Sequence, residues 1–221
     1  YQPLRFTFLI WVMVIVGGSG TGKSVLLKCL IGLLDPTEGR IFYRDREITG
    51  MTEKELIEIR RNISYVFQLS ALFDSLTVYD NIAYPLREHL DLEEEEIARR
   101  VAKNLEMVGL PGREEYFPAA LSGGMKRRIG LARAIAIEPE VILWDEPTTG
   151  LDPTNTKRIS RLIVKMQKEL NITNIVVTHD MHSAFLIADR IALLHEKVIA
   201  EVMTTQQVKQ SPDSLIGRFV D

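Results

Sequence analysis

The sequence predicts an α/β fold: a mostly parallel sheet with helices on both faces, interrupted by a helical insert. Three observations carry this. Short apolar runs alternate with helical stretches along most of the chain, the order that builds parallel strands joined by crossover helices. One such run, ending at Val16, passes directly into a glycine-rich segment and then into an apolar helical stretch. The block from about Ser70 to Ala136 contains almost no strand pattern. At 221 residues the chain suits one domain with an insert, a core of residues 1–69 and 137–221 and a helical part over about 70–136.

Leu9–Val16 reads as a buried strand, and Val25–Leu34 as the helix that follows, with Cys29 inside it. Leu34–Gly39 has turn chemistry and Ile41–Tyr43 reads as a short strand. Thr52 and Glu55 stand at capping-box spacing and open a helix to about Arg61. Ile63–Phe67 is a strand, after which periodicity weakens through Gln68–Thr77. Asp91 is placed to cap a helix running through Met107, ended by Gly109 and Pro111, with Glu93–Glu96 on a solvated first turn favoured by the helix dipole. Ser122 is placed to cap a helix from Gly123 to about Ile137, stopped before Pro139. Val141–Trp144 is an apolar strand, and Asp152 with Pro153 opens a helix to Leu170. Asn174–Val177, Ile191–Leu194 and Val198–Val202 read as strands, and the C-terminus as a polar tail. There is no internal repeat and no low-complexity linker.

The composition is that of an ordinary globular chain, 46% hydrophobic and 26% charged. A net charge of −3 gives no global reason to bind nucleic acid. A single cysteine, Cys29, excludes an internal disulfide framework, and four scattered histidines make no zinc pattern. Phe6–Val16 is too short to cross a bilayer, which takes about twenty apolar residues, and cleavage there as a signal peptide would destroy the glycine loop.

That loop is the first chemical signal. Gly17, Gly18, Gly20 and Gly22 cost conformational entropy in any regular element, so something must offset them. The pattern G-x-x-x-x-G-K-S, Gly17–Ser24, supplies the reason. With no Cβ in the way, backbone N–H groups of Gly17, Gly18, Ser19, Gly20, Thr21, Gly22 and the first helical residues to Val25 converge on a phosphate. Lys23 then reaches the outer phosphates and Ser24 holds a magnesium ion. The plainer reading, a flexible linker, does not account for the strand before and the helix after.

The second signal is VILWDEP. Its apolar run places Asp145 and Glu146 at the C-terminal edge of a strand, where ligands of open α/β sheets bind. Asp145 is the magnesium carboxylate of this reading, and Glu146 the residue that orients or deprotonates the attacking water. The third is Ala120–Arg128, where Ser122, Gly123 and Gly124 open a helix and make a second anion site. Taken alone, each is also compatible with a capped turn or a capped helix.

Together, Gly17–Ser24, Gln68, Leu121–Gly124, Val141–Glu146, Gly150–Pro153 and His179 resemble, in order and spacing, an ATPase of the ABC-transporter family, over nearly the whole chain. The resemblance implies a P-loop NTPase fold of ABC type that binds ATP with Mg2+ in a head-to-tail homodimer. Each ATP then lies between one subunit's Gly17–Ser24 loop and the other's Ser122–Gly124, which explains the second anion site. It also implies that Gln68 contacts magnesium and water, that His179 holds the γ-phosphate and positions water with Glu146, and that Asp152 speaks across the dimer. The bland readings are a polar loop residue, a satisfied histidine and a helix cap.

A narrower resemblance follows from Phe67–His89 and from ALSGGMKRRIGLARAIA, which look like the ATPases of phospholipid-transport and toluene-tolerance systems. It implies integral-membrane permease subunits docking near Phe73, Leu76, Val78 and Tyr79, a lipid-binding partner protein, and a place on the cytoplasmic face of the inner membrane. ABC ATPases for other small solutes, soluble ABC ATPases and P-loop kinases are the competing readings. The last leaves Leu121–Gly124 and His179 unexplained, and the soluble ones usually carry long inserts or two fused halves. The 16 residues before Gly17 do not resemble the family's usual adenine-stacking region, and the chain starts at Tyr1 without a methionine, so a truncated or divergent start is expected.

Overall fold

The computed structural model describes residues 11–220. Its elements run β1 (Val12–Val16), α1 (Lys23–Leu30), β2 (Phe42–Tyr43), β3 (Arg46–Glu47), α2 (Glu53–Arg60), β4 (Ile63–Val66), α3 (Val78–His89), α4 (Glu94–Met107) and α5 (Gly123–Ile135). Then follow β5 (Val141–Asp145), α6 (Pro153–Leu170), β6 (Thr173–Thr178), α7 (Met181–Ile187), β7 (Arg190–His195), β8 (Val198–Thr204), α8 (Thr205–Gln210) and α9 (Leu215–Val220). Leu9 and Ile10 of the expected first strand, and Phe6–Ile10 of the apolar N-terminal run, lie outside the described residues.

Among the described residues the main sheet has the strand order β4-β5-β6-β1-β7-β8, parallel except for the β7–β8 pair. The central strand β1 is buried along its length. Its side chains alternate between two apolar layers, as a period of two requires. Val12, Val14 and Val16 pack with Trp144, Ile163 and Ile191, whereas Met13 and Ile15 pack with Leu27, Leu56 and Leu143. Helices α1 and α2 therefore close one face, and α6, α7 and the long helices between β4 and β5 close the other. Among the described residues, no helix is long and apolar enough to cross a membrane.

Local signals explain most boundaries. Thr52 and Glu55 form the reciprocal capping box read from their spacing. Asp152 accepts from the backbone of Thr154 and Asn155, and α6 runs to Leu170 as the sequence predicts. Helix α1 stops at Leu30 rather than Leu34, because Gly32 turns left-handed at φ 68°. Asp91 is not a cap: Glu93 occupies that position before α4, with no side-chain hydrogen bond. The expected polar tail is α8 and α9, opened by a second capping box at Thr204 and Gln207 and anchored by buried Val208 and Ile216. The strand expected at Ile41–Tyr43 is β2, whereas β3 and α7 were not read from the sequence and α3 only as part of a helical block without its own bounds.

Residues 78–135 carry α3, α4 and α5 and no strand. Helix α3 packs against α4 and α5, and α5 reaches back to β4. The loop before α3 is held by Asn81, which is fully buried. Its amide donates to the carbonyls of Phe73, Leu76 and Thr77, and its oxygen accepts from the Phe73 N–H. Val78, expected on an outward apolar seat, is instead buried in this core; Tyr79 is partly buried against it, and Phe73 is 44% exposed.

Candidate functional site

Because β1, β4, β5 and β6 run parallel, their C-terminal ends share one edge. There the chain sets Gly17, Gln68, Asp145 with Glu146, and His179 side by side. At Gly17 a Cβ would meet the Leu194 carbonyl oxygen at 2.6 Å, so this glycine is required by close approach to β7. Gly20 and Gly22 are left-handed, at φ 76° and 100°. Gly22 caps α1 without a side chain, and no acid lies in the first turn, so the helix offers its amides and positive end outward. Ser19 and Val25 are exposed, and the Thr21 hydroxyl donates to the Gly18 carbonyl. The loop thus fits a phosphate group.

Lys23 is buried and folds back over the loop, its ammonium donating to the carbonyls of Gly17 and Gly18, each at 2.9 Å. Ser24 Oγ donates to Asp145 Oδ1 at 2.6 Å, and the Tyr65 hydroxyl donates to Asp145 Oδ2 at 2.9 Å. Burial first, and then the bond to Asp145, push the Tyr65 phenol above its usual range, so it stays a neutral donor. Ser24 and Asp145 offer two hard oxygen ligands in contact with each other. No group of three or more acids, histidines or cysteines that could hold a metal occurs among the described residues. That donor set fits a magnesium ion, which takes one or two protein oxygens and fills its shell with phosphate and water.

Glu146 sits in the left-handed region at φ 49°, sparsely populated for a non-glycine residue. Its carboxylate lies 3.8 Å from Lys23 Nζ and 3.0 Å from His179 Nδ1, and it accepts from Thr149 Oγ1 at 2.9 Å. A cation from the start of α1 and an imidazole from the end of β6 therefore converge on the Glu146 carboxylate at the end of β5. Arg127 of α5 donates to the Pro147 carbonyl at 2.6 Å and to the Thr149 carbonyl, bracing the turn that follows Glu146.

Lys23, Ser24, Asp145, Glu146 and His179 come together as a cluster. Gln68 is exposed in the loop past β4, outside that bonded cluster. Ser122 caps α5, accepting from the Met125 N–H at 3.3 Å, and Ser122 and Gly123 are exposed. Gly124 is buried where a Cβ would meet Asn155 at 2.8 Å, so the start of α5 packs on the start of α6. Asp152 is exposed, and its carboxyl is held below the usual range by the Asn155 backbone, the Asn155 side chain and the Thr154 backbone. Tyr65, Thr149 and Arg127 were not singled out from sequence. Thr149 had a signal in its turn spacing from Glu146, whereas Arg127 reaches the site only through tertiary packing.

A protein-family description, ABC transporter, matches residues 10–149. The probable ribonucleotide transport ATP-binding protein mkl of Mycobacterium leprae is 42% identical over 95% of this chain and 60% of its own length. The intermembrane phospholipid transport system ATP-binding protein MlaF of Haemophilus influenzae is 42% identical over 95% of the chain and 79% of its own length. MlaF of Escherichia coli K12 is 39% identical, over 78% of its length. The chain thus spans only about 60% of the mkl relatives. A dimeric ATP-binding cassette solved in a post-hydrolysis state with ADP and Pi superposes with a TM-score of 0.83 at 32% identity, over 91% of this chain and 88% of that one. The cassette cbiO1 from Clostridium perfringens, part of the ABC transporter complex cbiONQ, gives 0.83 at 32% identity, over 96% of this chain and 87% of that one.

Proposed function

The chain belongs to the ABC transporter family of ATP-binding proteins, and from that premise we propose that it is the ATP-hydrolysing subunit of a membrane transporter that moves phospholipid or other lipids across a bacterial envelope. The observation that carries the reading is the convergence on Glu146 of Lys23 at 3.8 Å and His179 at 3.0 Å, beside the Ser24–Asp145 pair. The loop Gly17–Gly22 and the start of α1 hold the phosphates of ATP. Lys23 exchanges its bonds to Gly17 and Gly18 for the outer phosphates. Ser24, Asp145 and, from the neighbouring loop, Gln68 would hold Mg2+, which would supply neutralisation of phosphate charge. Glu146 takes the proton of the attacking water, and His179 orients that carboxylate and contacts the γ-phosphate.

In this reading a second copy closes the site. Ser122 and Gly123, exposed at the start of α5, face the partner's nucleotide, with Gly124 behind them and exposed Asp152 alongside. The solved cassette dimer of the same fold supports a homodimer. The subunit sits on the cytoplasmic face of the inner membrane, docked to permease subunits. Phe73 and Tyr84, their rings 5.1 Å apart and 44% and 45% exposed, together with Leu69, next to Gln68 in the chain and 85% exposed, supply apolar contact surface. A lipid-binding protein completes the system, and no nucleic acid is involved. The name of the mkl relatives favours a second reading, a transporter for a non-lipid solute. Lipid co-purifying with the membrane complex supports the first and its absence the second.

The dimer is tested by mixing two inactive variants, Lys23→Ala and Ser122→Arg. The first removes a group acting within its own subunit, the second one acting across the interface. Mixed heterodimers should regain about one competent composite site each. No recovery at any mixing ratio refutes the head-to-tail arrangement.

A further inference from the structure

We propose that Arg127 is a positioning residue for Glu146, fixing the hydrolytic carboxylate to the helix that presents Ser122–Gly124. The inference rests on Glu146 acting on water as proposed above. The turn after Glu146 has weak support of its own. The Glu146 N–H is anchored to the Val177 carbonyl at 3.0 Å, but Pro147 has no N–H to contribute, and the backbone bonds that close the turn beyond it, from the Thr149 N–H to the Glu146 carbonyl at 3.3 Å and from the Leu151 N–H to the Thr148 carbonyl at 3.2 Å, are long. Yet Glu146 holds a left-handed φ of 49°, a conformation that persists only where surrounding contacts over-determine it. On the β6 side that contact is the Val177 carbonyl, and on the side of the turn it is Arg127. Its two terminal nitrogens fork across the turn, one to the Pro147 carbonyl at 2.6 Å and the other to the Thr149 carbonyl. Thr149 then donates its hydroxyl to Glu146 Oε2 at 2.9 Å.

Arg127 is half-buried, and among the described residues no carboxylate forms an ion pair with it, so its charge is spent on these two carbonyls. A lysine cannot reproduce this, because a point ammonium lacks the planar fork that spans two acceptors. Arg127 lies early in α5, the helix capped by Ser122. The helix end offered to the second nucleotide and the carboxylate serving the first are therefore braced as one piece.

The test is steady-state ATP hydrolysis by the full chain carrying Arg127→Met or Arg127→Lys. Misplacing the carboxylate by a fraction of an ångström to an ångström should cut kcat about tenfold to a hundredfold, with KM within about twofold. Arg127→Lys should recover part of the loss. In a Glu146→Gln background, Arg127→Met should cost less than about twofold more, because the group it positions is already gone. An equal fold-loss in both backgrounds overturns the proposal and leaves Arg127 a general structural residue. An inactive Glu146→Gln beside a fully active Arg127→Met overturns only the positioning role, whereas a fully active Glu146→Gln removes the reading beneath it. If Arg127→Met does not fold, amide exchange in Arg127→Lys decides. Faster exchange confined to Thr148–Leu151 is expected, and unchanged protection there refutes the proposal.

Discussion

Replacing Glu146 by glutamine separates chemistry from structure at this site. The substitution keeps shape, keeps the left-handed backbone and keeps an oxygen to accept from Thr149 Oγ1, now 2.9 Å away. It removes the proton acceptor and the charge 3.8 Å from Lys23. Loss of a positioned general base costs about 10²–10⁴ in rate, or about 3–5 kcal/mol of barrier. The stability cost is smaller. Lys23 and Glu146 are nearly buried, at 7% and 12% exposure, and stranding a buried charge is expensive. Here, however, Lys23 retains two carbonyl acceptors at 2.9 Å, and the ion pair is beyond hydrogen-bond length. A fall of about 1–2 kcal/mol follows, which for a chain of this size lowers Tm by about 2–8 °C. Phosphate release at saturating ATP, a nucleotide titration and a thermal melt together read all three quantities. The variant should bind ATP, stay folded, hydrolyse slowly and accumulate as an ATP-bound dimer in size-exclusion chromatography. Hydrolysis within about threefold of wild type, with ATP bound, would refute Glu146 as the base.

Gly17→Ala drives a Cβ to 2.6 Å from the Leu194 carbonyl and 3.0 Å from Thr21 Oγ1, so it should cost about 1–3 kcal/mol and weaken nucleotide binding; an unchanged melt and affinity would show that the loop yields freely. Asn81→Ala strands the Phe73 N–H and the Leu76 carbonyl, while the Phe73 and Thr77 carbonyls keep backbone donors, and a loss of about 2–3 kcal/mol is expected in denaturant titration, with less than about 0.5 refuting the role given to Asn81. Phe73→Asp should leave the melt nearly intact while abolishing recovery with membranes, whereas Val78→Asp, at 0% exposure, should unfold the chain; equal destabilisation of both would place Phe73 in the core. Hydrogen bonds from Arg99 and then Arg100 hold the Glu96 carboxyl down at about 2. A carboxyl depressed in the folded state stabilises above its ordinary value of 4.5, and that contribution is lost as pH falls from there toward about 2. Glu96→Gln should therefore flatten the acid limb of Tm against pH in that window, and an identical slope would refute it.

Signals that act over a few residues were legible before folding. The Thr52–Glu55 capping box, the Asp152–Pro153 start of α6 and the unbroken apolar run that buries β1 all follow from neighbours along the chain. So did the glycine loop and the acids at the end of β5, because each motif carries its own local reason. The same locality explains the errors. Nothing near Asp91 distinguishes it from a cap, and the helices at the C-terminus owe their order to Val208 and Ile216 reaching a core made elsewhere. Whether an apolar residue near α3 faces in, like Val78, or out, like Phe73, is set by what packs on it. The meeting of Lys23, Glu146 and His179 lies still further from the sequence. It exists because β1 is inserted beside β6, with β5 on the far side, in parallel register, so that three distant segments end at one edge. Residue types and spacings supplied the chemical groups. Strand order, which only long-range burial of both sheet faces can select, decided that they touch.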